Sequence, residues 1–346
     1  MKCMDYDLVW SDLNAELRYA EAEAGGLSAA LAGLEDHQRQ CGFIQDDLQS
    51  VKRLVFQHPD NSALSFRAQL NPKRARRHGG AGVTTPPPGE ERLNDGCFLC
   101  RENIRWQQSQ RQIGFEITTT TDIYNAWMNP FPLLPNHVVV AARQHIPQAF
   151  KLFGDEQSDL SLGRILSDLC ETAQRLPNHV GFYNGVGAGA SIPGHLHFQF
   201  FQRVPEEPVF PLEQRSFSPL HGKGAPEIIV DYPISVARWR GELRKIVSDA
   251  QGWVPKWADT HRADRDLLTC NFIAMGSAEN DDIMLYFVPR RRDRQFWNGN
   301  KGIVGGLEVL GELVLASDDE CALVENGVVD YGFIEHALSA VCAPMA

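Results

Sequence analysis

Residues 183–199 read YNGVGAGASIPGHLHFQ, joining a glycine-rich loop to an extended segment with a polar residue at every second position. Alternate side chains of a β-strand point to the same face, so His195, His197 and Gln199 should line up on one side. Leu196 and Phe198 should point to the opposite side, into a core. Glycines let backbone N–H groups approach a phosphate closely. The stretch therefore predicts a strand with a polar face, preceded by a loop suited to phosphate.

The two histidines of this stretch have two interpretations. Histidine is often a half-buried packing residue, and it is also a nucleophile that is available at neutral pH. The Gln199 side chain and the Asn184 and Ser191 side chains of the glycine loop favour the second interpretation. We therefore predict a site at which bonds to phosphorus are broken and formed.

Composition limits the protein to a few broad classes. The chain has 346 residues, of which 43% are apolar and 22% charged, and this suits one large or two modest globular domains. Its net charge of −11 argues against nucleic acid as a partner, because nucleic-acid binding needs a basic surface. The chain has no apolar run of about 18 residues and no signal-peptide pattern. We therefore expect a cytoplasmic protein with no membrane partner.

Two of the eight cysteines, Cys97 and Cys100, are separated by two residues. Such a pair can bind one Zn²⁺ through its thiolates, although redox motifs and chance produce the same spacing. A redox role is the least favoured of the three, because no thioredoxin-like strand precedes the pair. A tetrahedral zinc site needs two more ligands, and the candidates are His137, His145, His179 and His195.

Hydrophobic periodicity predicts an α+β fold with antiparallel strands, since links of hairpin length outnumber strand–helix–strand units. Residues 5–57 have helical spacing that is broken at Gly25-Gly26, and they predict two or three helices. Residues 78–90 have the composition of a loop. Strands are predicted at 64–70, 114–119, 123–128, 138–142, 180–183, 196–203, 271–275 and 283–289, helices at 156–176 and 236–251, and amphipathic sections at 307–316 and 331–341.

A basic segment, NPKRARR, occupies residues 71–77. Charge runs usually face solvent. An acidic protein with an anionic substrate nevertheless needs local positive charge, and guanidinium groups suit phosphate. We predict that Lys73 and Arg74 contact phosphate. The second basic run, residues 290–294, could close the same site, but we favour a solvated loop.

The run from Asn184 to Gln199 resembles the active-site motif of the nucleotidyltransferase branch of the histidine-triad (HIT) superfamily. This branch includes the galactose-1-phosphate uridylyltransferases, the diadenosine tetraphosphate (Ap4A) phosphorylases and the GDP-hexose phosphorylases. The segment Asn129 to Gln148 looks like the family's proline-rich loop with its two histidines. Residues 66–78, 97–100 and 183–199 together resemble the DUF4922 proteins of bacteria.

The resemblance implies a duplicated fold of two HIT-like halves, each an antiparallel sheet with helices packed on one face. It places a catalytic half at residues 58–204 and a C-terminal half similar to the ATP adenylyltransferases at 205–346. The helical N-terminal segment, residues 1–57, has no counterpart in the family. Only the first half carries the histidine motif. The second half is therefore expected to complete the nucleotide pocket.

Residue roles follow when the family motif is matched to this chain position by position. His197 resembles the nucleophile that accepts the nucleotidyl group, and Gln199 resembles the glutamine that hydrogen-bonds the phosphoryl oxygens. Asn129 resembles a ribose contact. Phosphate-side contacts are implied for Asn184, Gly185 and Ser191, and zinc ligation for Cys97, Cys100, His145 and His195. The chain departs from the uridylyltransferases at Gly194, where they carry proline, and its spacing from Ser191 to His195 is one residue longer than theirs. These differences weaken the Ser191 contact and that particular assignment.

The chemistry of these residues agrees with the implied roles. A neutral imidazole can attack the α-phosphorus and form a nucleotidyl-histidine, which divides one difficult displacement into two easier ones. A carbonyl partner on its other nitrogen would fix the tautomer, and oriented N–H donors would stabilise the charge on the phosphoryl oxygens. Glutamine at position 199 leaves no additional imidazole for acid–base work. We therefore expect the intermediate to resist water and to await phosphate.

The favoured function is transfer of a nucleoside monophosphate, AMP above others, from an Ap4A-type donor to inorganic phosphate through His197. A GDP-hexose or another NDP-hexose, and adenylylsulfate, remain alternative donors. Two other classes stay open: a nucleotide hydrolase, and a zinc-stabilised nucleotide-binding protein without turnover. Zinc is expected to be structural. The oligomeric state is left open, with a homodimer as one option.

Overall fold

The computed structural model describes residues 6–78, 86, 88–107, 111–150, 152, 160–294, 296–297 and 301–345. Its helices are α1 (Tyr6–Ala20), α2 (Gly26–Gln40), α3 (Arg101–Gln107), α4 (Leu162–Gln174), α5 (Leu243–Thr260), α6 (Gly306–Val309), α7 (Asp318–Glu325) and α8 (Tyr331–Ala340). Its strands are β1 (Lys52–His58), β2 (Asn61–Leu70), β3 (Phe115–Thr118), β4 (Ile123–Met128), β5 (Val138–Ala142), β6 (His179–Asn184), β7 (His197–Gln202), β8 (Phe217–Pro219), β9 (Glu227–Ile229), β10 (Ala237–Gly241), β11 (Leu268–Gly276), β12 (Ile283–Arg291), β13 (Phe296–Trp297), β14 (Lys301–Ile303) and β15 (Glu312–Leu315).

A ten-stranded antiparallel sheet forms the centre of the fold, in the order β3-β4-β5-β7-β6-β11-β12-β10-β9-β8. Its two halves repeat one connectivity, since each consists of three strands, a helix and two further strands. In both halves the last strand inserts between the third and fourth strands of that half. β6 and β11 adjoin at the middle, where Asn184 pairs with Asn271. The α+β prediction is confirmed, and the repeated connectivity agrees with the expected duplication.

The two faces of the large sheet pack on different layers. α4 lies against β6 and β11, and α5 lies against β10 and β12. The apolar side of α4 is fully buried, and the Ser161 hydroxyl caps its first turn by accepting from the Arg164 N–H. The opposite face packs on a layer that the sequence did not predict. This layer contains the apolar side chains of β2, α6, β15 and α8.

The unpredicted layer includes a three-stranded sheet that joins distant parts of the chain. β2 pairs antiparallel with β1 and parallel with β15. The Glu312 carboxylate on β15 is 2% exposed, accepts a hydrogen bond from Gln69 Nε2 at 2.8 Å and lies 3.4 Å from Arg53 Nε. Burial raises the pKa of Glu312, because a charged carboxylate is poorly solvated there. A buried acidic side chain thus lies where β15 joins β1 and β2.

The predicted hairpin of residues 271–289 is confirmed as β11 and β12, which pair over nine residues each. Two helical predictions are wrong in part. Residues 52–58 form β1, and residues 237–241 form β10 before α5 begins at Leu243. The backbone of Gly241 has a φ of 141°, which lets the chain turn from strand to helix there.

Two other predicted segments fall partly on residues that the structure does not describe. The predicted helix 156–176 appears as α4, with 156–159 outside the described residues, and most of the predicted loop 78–90 is also outside them. None of the described helices combines the length and apolar character that crossing a membrane requires.

Candidate active site

β7 presents its polar residues on one face of the large sheet. Phe198 and Phe200 are fully buried on the side of α4, whereas Phe201 packs on the opposite side. His197 and Gln199 alternate with the first two and so share the face of Phe201. The predicted alternation is therefore confirmed for β7.

The His197 imidazole is buried and held in one tautomer. Its Nδ1 lies 2.8 Å from the backbone oxygen of His195, which can only accept, so Nδ1 carries the proton. Burial lowers the pKa of His197 to about 4, because desolvation disfavours the imidazolium. The ring is therefore neutral at physiological pH, and the lone pair of Nε2 is left as a nucleophile.

Gln148 joins the two strands that carry site residues. Its side chain is fully buried; Oε1 accepts from the His197 N–H at 2.8 Å, and Nε2 donates to the backbone oxygens of Asn184 and His197 at 3.0 and 3.1 Å. Gln148 was expected only as the end of a family motif. Because its contacts are to backbone atoms of distant strands, no sequence pattern reveals this function.

His137 orients the Gln199 amide. The Leu133 N–H donates to His137 Nδ1 at 3.3 Å, so Nε2 carries the ring proton and donates to Gln199 Oε1 at 3.0 Å. The Gln199 amide oxygen is thereby engaged, which leaves its NH₂ group as the donor. His137 was a candidate zinc ligand, and the structure instead places it beside the proposed phosphate contact.

Asn184 lies at the end of β6, beside the seam between the sheet halves. Its Oδ1 accepts from Asn271 Nδ2 at 2.8 Å and from the Gly306 N–H at 3.1 Å. Asn271 in turn accepts from Arg290 Nη1 at 2.8 Å. Arg290 is 0% exposed, so the expectation of a solvated loop is wrong for this residue.

The glycines of the loop permit close packing against the C-terminal half. Gly187 and Gly189 have φ values of 78° and 100°, in the left-handed region. A Cβ on Gly189 would lie 2.6 Å from Gly305 Cα. The Gly185 N–H donates to the Cys270 oxygen at 2.9 Å, so this N–H is already used and is not available for a phosphate.

The four predicted metal ligands converge. The ligand atoms of Cys97, Cys100, His145 and His195 all lie within 4.8 Å of one another. Cys97 Sγ is 3.3 Å from His195 Nδ1, and Cys100 Sγ is 3.3 Å from His145 Nδ1. The two other candidates, His137 and His179, are not part of this cluster.

The chemistry of the cluster fits zinc. Ligand atoms of a tetrahedral site with Zn–S of about 2.3 Å and Zn–N of about 2.0 Å lie about 3.5 Å apart, close to the observed separations. His195 Nε2 lies 2.7 Å from the Ala142 oxygen, so Nε2 carries the proton and Nδ1 faces the sulfurs with its lone pair. A hydrogen bond from the neighbouring Cys100 thiol lowers the pKa of Cys97, which favours the thiolate that a metal binds.

The remaining predicted contacts have mixed surroundings. Asn129 Oδ1 accepts from the Phe131 N–H at 2.9 Å, and Ser191 is exposed on the loop. Arg74 Nη1 donates to the Phe131 oxygen at 2.5 Å, so Arg74 contacts the loop between β4 and β5 that also carries His137. Lys73 Nζ lies 3.1 Å from Asp46 Oδ1 and 3.4 Å from Asp47 Oδ1, and is therefore neutralised by carboxylates.

Comparison with known proteins adds to this geometry. The model of the family described as "Domain of unknown function (DUF4922)" matches residues 34–202. Among solved structures, yeast Ap4A phosphorylase Apa2 in complex with AMP has a TM-score of 0.53 at 14% identity, over 90% of this chain and 96% of that chain. The chain has the HIT-like fold of this phosphorylase. The fold that the resemblance implies is thereby confirmed.

A second solved structure and one curated protein are also similar to this chain. The complex of the yeast phosphorylase with Ap4A gives a TM-score of 0.53 at 13% identity, over 90% of this chain and 97% of that chain. The curated bis(5'-nucleosyl)-tetraphosphatase (asymmetrical) of Schizosaccharomyces pombe is 27% identical over 97 residues, which are 28% of this chain. The match spans 53% of that relative, so this chain covers about half its length.

Proposed function

We propose that this protein is a nucleotidyltransferase that carries AMP on His197 and transfers it to inorganic phosphate, with an Ap4A-type dinucleoside polyphosphate as donor. The orientation of His197 is the main support. Its Nδ1–H is fixed on the His195 carbonyl, so Nε2 is unprotonated and its lone pair is available for attack. The fold shared with a phosphorylase that binds AMP and Ap4A supports the donor class.

The reaction has two balanced steps. The lone pair of His197 Nε2 attacks the α-phosphorus of Ap4A, and the bond to the bridging oxygen breaks, so ATP leaves with the electron pair. A phosphate oxygen then attacks the same phosphorus, the P–N bond breaks, and ADP leaves while Nε2 regains its lone pair. The net reaction converts Ap4A and phosphate into ATP and ADP.

The neighbouring side chains would stabilise the charge that develops on the phosphoryl oxygens. The Gln199 amide, held at its oxygen by His137, presents N–H donors. Asn184 would donate from Nδ2, because its Oδ1 already accepts hydrogen bonds from Asn271 and Gly306. Removing one preorganised donor of this kind typically lowers the rate on the order of 10²- to 10³-fold. These two amides fit the phosphate-side roles that the resemblance implies.

The metal cluster is proposed as a structural zinc site. It would hold the turn of Cys97 and Cys100 and the loop of His145 against the start of β7. The His195 carbonyl accepts the hydrogen bond from His197 Nδ1–H, and His195 itself belongs to the cluster. The metal would therefore fix the residue that orients the nucleophile. A structural Zn²⁺ supplies charge neutralisation of the thiolates and cross-linking of the chain.

A hydrolase is the second candidate, because the S. pombe relative is a tetraphosphatase. The two functions differ in the acceptor, water or phosphate. Gln199 favours phosphate, since it offers no imidazole that could activate water. Measured product ratios with and without phosphate distinguish the two, and nucleotide binding without any turnover would support a non-catalytic protein.

A labelling experiment tests the proposal. The protein is incubated separately with ATP, GTP, UDP-glucose, GDP-glucose, Ap4A and adenylylsulfate, and the labelled peptide is identified by mass spectrometry. We expect a mass increase of one AMP on His197 with Ap4A and its discharge as ADP upon addition of phosphate. His197→Ala should remain unlabelled. Failure of all six donors to label the wild-type protein would contradict the proposal, and labelling by an NDP-sugar or adenylylsulfate alone would change the donor.

A further inference from the structure

Arg290 is a charged side chain that lies wholly inside the protein. It is 0% exposed and makes three hydrogen bonds, from Nε to the Val341 oxygen at 3.1 Å, from Nη1 to Asn271 Oδ1 at 2.8 Å, and from Nη2 to the Val304 oxygen at 2.9 Å. No salt bridge to Arg290 is present among the described residues, and the Glu308 carboxylate acts on it only at longer range. Burying a charge without an ionic partner is unfavourable, so the arrangement requires an explanation.

The direction of the hydrogen bonds supplies that explanation. A guanidinium group only donates, so the Asn271 group that faces Arg290 must be its oxygen. Asn271 Nδ2 is then directed to the other side, where it donates to Asn184 Oδ1 at 2.8 Å and to the Ala188 oxygen at 2.6 Å. The oxygen of Asn184 is therefore held by internal donors, and its NH₂ group takes no part in these hydrogen bonds.

An asparagine amide can rotate by half a turn and exchange its donor for its acceptor at little steric expense. A rotated Asn184 would present an oxygen to a phosphoryl oxygen, and the two would repel. The Gly306 N–H adds a second donor to Asn184 Oδ1 at 3.1 Å and opposes the same rotation. Arginine is suited to the first position of this chain because it stays protonated throughout the physiological pH range.

We propose that Arg290 and Asn271 are positioning residues that keep Asn184 as a hydrogen-bond donor toward an anionic phosphoryl oxygen of the substrate. The role of Asn184 at the phosphoryl group rests on the proposed function. Arg290 and Asn271 belong to β12 and β11, so the C-terminal half of the chain determines the polarity of a residue in the N-terminal half. Neither residue needs to touch the substrate.

Asn271→Asp tests this with almost no change of shape. The carboxylate still accepts from Arg290 but cannot donate, so Asn184 should rotate and donate to it. The Gly306 N–H then loses its acceptor. We expect faster hydrogen exchange at the Gly306 amide, and a kcat for nucleotidyl transfer that falls on the order of 10²-fold with a much smaller change in KM.

Asn14→Asp is a matched control. Asn14 lies on α1, which packs beside the edge strand β3, and its buried amide donates to the backbone oxygens of Trp10 and Gly114. It should lower the stability and leave kcat and the exchange at Gly306 unchanged. If N271D does not fold, the pair N271T and N271V replaces it. These two side chains have the same shape, but only threonine can accept from Arg290 and donate to Asn184. The Gly306 amide should therefore stay protected from hydrogen exchange in N271T and lose that protection in N271V.

The outcomes separate the two proposals. Unchanged exchange at Gly306 in the folded variant would overturn the positioning role, as would a kcat within twofold of the wild-type value when protection is lost. Hydrogen exchange does not depend on turnover. If the wild-type protein forms no nucleotidyl-His197 while N271D still deprotects Gly306, the proposed function fails and the orientation of Asn184 stands.

Discussion

At the scale of single residues, the site depends on which atom of each polar side chain is engaged inside the protein. His197, Gln199 and Asn184 each use one polar atom on an internal partner, and in the proposed mechanism the other atom meets the substrate. The outward groups are one lone pair and two NH₂ groups. A nucleophile accompanied by donors suits attack at an anionic phosphorus centre.

His137→Asn tests the orientation of Gln199. The shorter side chain cannot reach Gln199 Oε1, so the amide becomes free to rotate. We expect kcat for nucleotidyl transfer to fall about tenfold, which corresponds to about 1.4 kcal/mol, the usual value of one hydrogen bond. His179→Asn is the control, because His179 is a buried histidine bonded to Asn136 Oδ1. It should affect stability alone, and an equal kcat loss in both variants would contradict the role of His137.

Gln199→His tests the preference for phosphate over water. The substitution places an imidazole beside the proposed intermediate, where it can act as a general base. We expect the ratio of hydrolysis to phosphorolysis of Ap4A to rise by on the order of tenfold or more, measured by chromatography of AMP and ADP. Gln199→Glu keeps the length without adding an imidazole and should lower both rates. A Q199H ratio equal to that of the wild type would refute this account of Gln199.

The residue-scale predictions from the sequence succeeded where the signal was local. The alternation in β7 required only neighbouring residues. The convergence of the four metal ligands, which are distant in sequence, followed from the family resemblance alone. Gln148 and Asn271 were not predicted to contact site residues, because their partners lie on strands that are distant in sequence. Register between such strands is set by packing and leaves no periodic pattern.

At the scale of elements, the glycine loop is a contact between the halves of the sheet. Gly189 has a left-handed backbone and would place a Cβ 2.6 Å from Gly305 Cα. Gly189→Ala should therefore destabilise the protein by about 1–3 kcal/mol and displace Asn184. Gly194→Ala is the control, since its Cβ would meet nothing within 4 Å. Urea unfolding of both variants measures the difference, and equal midpoints would show that the loop tolerates a side chain.

The metal cluster is the second element-scale feature. Purified protein should contain about one equivalent of zinc by elemental analysis, and Cys100→Ser should contain less than half an equivalent. The melting temperature should fall in the same variant, because the turn is no longer held against β7. Cys321→Ser changes a half-buried cysteine outside the cluster and should keep the metal. Wild-type protein that lacks zinc after mild purification would rule out the structural role.

Predictions of elements succeeded for strands with apolar alternation and for the β11–β12 hairpin. They failed for β1 and β10, each of which lies in a stretch whose apolar spacing also fits a helix. β1 is an edge strand of its sheet, so one of its sides pairs with no strand in the described part of the chain, and its burial is weak. Pairing with neighbouring strands makes β1 and β10 strands rather than helices. Because the residues that determine this pairing are distant in sequence, the local pattern does not reveal it.

At the scale of the molecule, β15 joins the C-terminal part of the chain to β2. The raised pKa of Glu312 means that the folded state holds its proton more tightly than the unfolded state. Stability from this group is therefore fully present below the unfolded pKa of about 4.3 and decreases as the pH rises through the folded pKa. Glu312→Gln should remove that decrease. The free energy of unfolding of the variant, relative to that of the wild type, should therefore increase between pH 4 and 8.

Urea unfolding at a series of pH values measures this difference. Glu312→Gln keeps the oxygen that accepts from Gln69, so the test changes the charge and little else. Glu325→Gln, at the end of α7 and exposed, serves as the control and should leave the pH dependence unaltered. A wild-type stability advantage that increases with pH would show that the ion pair with Arg53 outweighs the burial of Glu312.

The seam between β6 and β11 has a consequence for how the protein behaves on dilution. A chain with only one five-stranded half would leave the edge of β6 unpaired and would need a second copy to cover it. Such an assembly dissociates as the protein becomes scarce. In this chain the link after β7 makes the second half a permanent neighbour at a high effective concentration. The contact of Asn184 with Asn271 should therefore persist at any protein concentration, and activity per molecule should be the same at nanomolar and micromolar enzyme.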